Sequence, residues 1–84
     1  MNDEEFYMFR TEIRKNLGRI FFFPENTNIY VDSIIQLIEK NEEVFQVYIK
    51  NCTKNERTIL TKVLNCLKET KKNKYIENLI EENL

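Results

Sequence analysis

The residues with chemical potential are two cysteines, Cys52 and Cys66, and three pairs of adjacent glutamates, Glu4/Glu5, Glu42/Glu43 and Glu81/Glu82. A thiol nucleophile needs an activating neighbour, usually a histidine, and the chain has no histidine. The spacing of Cys52 and Cys66 fits no zinc motif, and two further ligands would be required. Both cysteines read as small, buried or half-buried side chains. Neighbouring carboxylates on a helix point to different faces, so the glutamate pairs do not converge as a hydrolytic dyad must. They suit helix N-termini and solvated faces. With one glycine, Gly18, the chain also lacks a phosphate-binding loop. These residues imply no enzyme, no cofactor, no metal and no small-molecule substrate.

Two other groups of residues stand out. The first is aromatic: six Phe and four Tyr, with Tyr7, Phe21, Phe22, Phe23 and Tyr30 crowded into the first third. Phe and Tyr are enriched in interface cores, so these five are the candidate partner-binding residues. The run Ile20–Phe23 cannot all face water cheaply, since each buried Phe contributes about 1.5–3 kcal/mol. The triplet is expected to plug the core or a partner's groove, with Phe22 or Phe23 exposed in the isolated chain in the second case.

The second group is basic. Arg10 and Arg14 lie along one side of the first helix, and Lys71, Lys72 and Lys74 cluster late in the chain. They could contact phosphates, and the helices around residues 42–70 loosely mimic a helix-turn-helix. Against this, the net charge is −1, from 13 basic and 14 acidic residues, whereas phosphate-binding domains usually carry a basic excess. The turn also lacks glycine, and Glu56 sits where phosphate would repel it.

The elements that position these residues are helical. Asn2 or Asp3 caps a helix over 3–17, with Phe6, Phe9, Ile13 and Leu17 as its apolar stripe and Gly18 as its terminator. Residues 19–28 form a linker containing the Phe run and Pro24. A second helix spans 29–40, and Asn41 caps a third through Val44–Ile49. Alternation at 45, 47 and 49 could also suggest a strand, but a lone strand has nothing to pair with. Thr53-Lys54-Asn55-Glu56 reads as a capping box opening a helix over 54–70. The run Lys71-Lys72-Asn73-Lys74 breaks the chain before a last helix over 74–83. The acidic starts at residues 3–7 and 41–45 echo each other as helix starts, not as a repeat.

The expected fold is therefore all-α, a single domain over 1–84, built as an irregular bundle of four to five short helices with one Phe/Pro-containing linker. An 84-residue chain should expose about 5,400 Å² when folded. Two cysteines, an acidic start and no apolar run long enough to span a bilayer imply an intracellular setting, cytoplasmic or nuclear. The expected function is a non-enzymatic protein-interaction module or regulatory subunit, either bound to a larger protein assembly or self-associated. The alternatives are a nucleic-acid-associated regulator and a viral or phage-type inhibitor of a host machine.

Overall fold

In a computed structural model, described here for residues 2–84, five α-helices follow the apolar periodicity of the sequence: α1 (Asp3–Phe22), α2 (Thr27–Lys40), α3 (Glu42–Asn51), α4 (Lys54–Thr70) and α5 (Lys74–Asn83). The fold is all-α, a short helical bundle with no strand among the described residues. The stretch 44–49 is helical, because Val44, Phe45, Tyr48 and Ile49 bury one face at helical spacing. Helix α1 lies centrally, against α2, α3 and α4, while α5 packs on α4 and α3. The accessible surface is 5459 Å² and the radius of gyration 11.7 Å, as expected of a close-packed chain this long.

Helix ends show how local chemistry sets the elements. Asn2 caps α1 by accepting from the Glu5 N–H at 2.8 Å, and Asn73 caps α5 by accepting from the Ile76 N–H at 3.0 Å. The Thr53/Glu56 capping box is complete, with bonds of 3.2 and 3.1 Å, and α4 starts at the next residue. Asn41 does not cap α3 with its side chain; its amide instead donates back to the Leu37 carbonyl. Helix α4 ends at Lys71, the single described non-glycine residue with positive φ (54°).

The first helix overruns its expected end. Gly18 does not terminate α1, which continues to Phe22. Ile20 is fully buried and extends the stripe of Phe9, Ile13 and Leu17 by a further turn, so core packing outweighs the helix-breaking tendency of one glycine. What stops the helix is Pro24, which disfavours helical geometry at Phe23 and opens a 3-10 turn over Pro24–Asn26. The linker expected over 19–28 contracts accordingly, and α2 starts at Thr27. The Phe triplet thus rides on the last turn of α1 and its cap.

A glycine inside a helix costs about 1 kcal/mol relative to alanine. Nothing lies within 4 Å of where a Gly18 Cβ would stand. Gly18→Ala is therefore expected to raise stability by about 0.5–1 kcal/mol, read as a higher denaturation midpoint with unchanged m-value.

Candidate functional site

Two surfaces concentrate the side chains that can act. The first is a polar node where α1, α3 and the start of α4 meet. Glu56 is buried, and its carboxylate is surrounded by donors. Arg14 reaches it from α1 through Nε and Nη2 at 3.2 and 3.1 Å. The Tyr48 hydroxyl from α3 donates to Oε2, and the Thr53 N–H donates to Oε1 at 3.1 Å. Phe9 and Phe45 pack edge-on and tilted against the Tyr48 ring, at centroid distances of 5.8 and 6.3 Å, which holds the hydroxyl in place. The node forms one wall of an open cleft of about 520 Å³, with Phe6, Arg10, Val47 and Cys52 among its other lining residues.

The electrostatics of this node oppose acid–base chemistry at neutral pH. Burial raises the pKa of Glu56, but the hydrogen bonds from Arg14, Tyr48 and Thr53 outweigh it and hold the carboxyl at about 2. Burial, reinforced by the Glu56 hydrogen bond and charge, pushes Tyr48 well above its usual range. The two groups move away from neutrality in opposite directions, so neither exchanges a proton near pH 7. The Cys52 thiol is raised by burial against the lowering effect of Arg57, and Cys66 by burial against Lys72. Neither gains the thiolate character of a nucleophile. Among the described residues, no three His, Cys, Asp or Glu side chains converge to hold a metal ion.

The depressed carboxyl has a consequence for acid stability. Its contribution is fully present above the ordinary glutamate value of 4.5 and is lost as pH falls through about 2. The swing amounts to up to about 3 kcal/mol. Exposed Glu81, lowered by the Lys68 ammonium, titrates in the same direction. Urea midpoints are expected to fall between pH 5 and pH 2.5 and to fall less in Glu56→Gln. Equal acid slopes in the two proteins would place the sensitivity elsewhere.

The second surface is apolar. Phe21, Phe22 and Phe23 are 61%, 72% and 50% exposed, so none of the three plugs the core. The rings of Phe21 and Phe22 meet edge to face at 5.1 Å. Ile29, in the first turn of α2, is 63% exposed across the Pro24 turn. Beside them an apolar groove of about 430 Å³ runs between α1 and α4, lined by Gly18 and Phe21 on one side and by Asn55, Thr58, Ile59 and Lys62 on the other.

The other sequence candidates disperse. Tyr7 is exposed but precedes Phe22 by fifteen residues, about 22 Å along the helix, and lies beside Met8, Thr11 and Glu12. Tyr30 is half-buried and packs against the core. Among the basic residues, Arg14 is bound to Glu56, Lys72 pairs with Asp32 at 2.5 Å, and Lys74 pairs with Glu77 at 2.6 Å. Arg10 lines the cleft beside Glu56, whereas Lys71 and Lys74 line a separate groove with Glu77 and Glu81. The five cations therefore do not form one surface.

Sequence reasoning missed Ile29 and the hub role of Glu56. Ile29 carried a readable signal, since it is out of phase with the Val31, Ile34, Ile35 and Ile38 stripe. Among the described residues, no helix is long and apolar enough to cross a membrane. No protein-family model matches the chain, and no curated protein and no solved structure matches it either.

Proposed function

We propose that the chain is a non-enzymatic protein-interaction module, a small regulatory subunit whose docking surface is the corner between α1 and α2. The observation that carries this reading is the exposure of Phe21, Phe22 and Phe23 together with Ile29 at one corner of the molecule. Each large apolar side chain left in water forgoes about 1.5–3 kcal/mol that a partner would supply. Exposed apolar clusters such as the touching Phe21 and Phe22 rings mark interaction sites on small proteins. The core does not need these rings: nineteen hydrophobic residues are already buried without them. The dispersion and pairing of the cations favour a protein partner over a phosphate backbone. The free thiols Cys52 and Cys66 suit a reducing, intracellular compartment.

The test is a photo-crosslinking side chain placed at position 22 in cells, with exposed Glu42 on α3 as the control position. Covalent capture of a protein of defined mass, a second copy included, is expected at 22 and not at 42. Equal or absent capture at the two positions would overturn the reading.

A further inference from the structure

Independently of the docking corner, we infer that the polar cleft between α1 and α2 binds a free acidic amino acid, an α-amino dicarboxylate. Three observations carry this assignment.

The first is Asn16. It is 6% exposed and forms part of the floor of the cleft. Its Nδ2 donates back to the Glu12 carbonyl at 3.0 Å, and its buried Oδ1 receives no hydrogen bond among the described residues. A buried amide oxygen without a donor is an exception that calls for an external N–H or O–H group. Asn16 stands among Ile13, Leu17 and Ile20 on the buried side of α1, where an apolar side chain would leave no acceptor unmet.

The second is the set of side chains around it. Helices α1 and α2 are joined by the short Pro24–Asn26 turn and so lie antiparallel. Glu12, Asn16 and Arg19 recur at helical spacing along one wall of the cleft, and Ser33, Gln36 and Lys40 along the other. The register puts Glu12 and Lys40 at one end and Arg19 and Ser33 at the other, about 10 Å away along the helices. None of Glu12, Arg19 and Lys40 has an ion-pair partner among the described residues.

The third is charge and size. Two cations against one carboxylate leave the cleft one positive charge in excess, and an amino dicarboxylate carries one net negative charge at neutral pH. Its α-carboxylate suits the forked Arg19 guanidinium, with the Ser33 hydroxyl at the same end. Its ammonium supplies the donors that Asn16 Oδ1 and the Glu12 carboxylate accept. Its second carboxylate is met by the flexible Lys40 side chain. A simple dicarboxylate would satisfy the cations but would offer Asn16 and Glu12 no donor. The cleft holds about 270 Å³, just below the roughly 300–1,000 Å³ of drug-sized sites, which suits a single amino acid.

The experiment is a titration of the isotope-labelled chain with L-glutamate, followed through its backbone amide NMR signals. Glutarate, which lacks the ammonium, is the comparison ligand. Glutamate is expected to give saturable shifts confined to residues 12–19 and 33–40, with a Kd of about 1 mM or below. Glutarate is expected to bind at least about 10-fold more weakly, because it brings no donor and one more negative charge. Arg19→Gln, at an exposed position, is expected to weaken glutamate binding at least about 10-fold. Asn16→Leu is expected to weaken glutamate by a similar factor and to leave glutarate unchanged, and the unliganded spectra report whether each variant is folded. A titration that does not saturate, shifts centred outside the two stretches, or equal affinities for glutarate and glutamate would overturn the inference. Folded Arg19→Gln or Asn16→Leu proteins that bind glutamate as the wild type does would also overturn it.

Discussion

Replacing Glu56 with alanine is expected to destabilise the protein by about 2–4 kcal/mol, a large part of the roughly 4–13 kcal/mol available to a domain of this size. Several losses combine. The buried Tyr48 hydroxyl loses its acceptor, which costs about 1–3 kcal/mol. The charge-assisted bonds from Arg14 disappear, although the guanidinium is 41% exposed and water replaces much of what it loses. Half of the capping box goes, because the Thr53 N–H is left without the Glu56 side chain. Glu56→Gln keeps one acceptor oxygen, enough for Tyr48 or for the Thr53 N–H but not for both, and loses the charge, so it should cost less than alanine, about 1–2 kcal/mol. Chemical denaturation of both variants at pH 7 measures the difference. Equal losses in the two would mean that the charge, which both variants lack, matters at the α1–α3–α4 junction and shape does not.

The electrostatics of the node also bear on what it can do. A carboxylate used in proton transfer would be held near neutrality, whereas this one is held at about 2 by three sets of donors. Its work is to fix α1 and α3 onto the first turn of α4. That clamp aligns α1, whose far end carries the exposed phenylalanines. The chemistry of the molecule is thus spent on rigidity at one end and on unpartnered apolar surface at the other.

How far the sequence disclosed this depends on the range of each interaction. Helix α4 was legible to the residue because both its signals are local: the Thr53–Glu56 box at its start and the lysine-rich break at its end. The apolar stripes of α2, α3 and α5 were legible by period, and they set the core. The end of α1 was not, because Gly18 is a local stop signal and the packing that overrides it, burial of Ile20, is tertiary. Glu56 was half legible. Its capping role is encoded within four residues, but Arg14 lies 42 residues away and Tyr48 eight, and no spacing rule joins them. The Phe21–Phe23 run announced itself by composition, while its exposure depended on which face of α1 the core claimed. The basic residues misled as a set, because Lys72 and Lys74 find carboxylates that only the fold brings near.

Phe45→Ala is expected to cost about 3–5 kcal/mol and to flatten the dependence of stability on acid. The first effect follows from burial. Phe45 is fully enclosed, and its ring lies 6.1 Å from that of Phe9 and 6.3 Å from that of Tyr48. Removing it opens a cavity under both. The second effect follows from what Tyr48 does. Its ring is held between Phe9 and Phe45, and its hydroxyl is one of the donors that depress Glu56. A ring free to shift in the cavity holds that hydroxyl less well, so the Glu56 pKa rises toward its unfolded value. A higher folded pKa leaves the onset of the fall at the ordinary value of 4.5 and ends it at a higher pH, so stability falls by less in total. Phe45→Leu keeps most of the volume and should cost less than about 1.5 kcal/mol with little change in acid response. Denaturation midpoints followed from pH 7 to pH 2.5 separate the two effects. A Phe45→Ala protein that is destabilised at neutral pH but keeps the wild-type acid slope would show that Tyr48 is positioned by the α3 backbone and not by its aromatic neighbours.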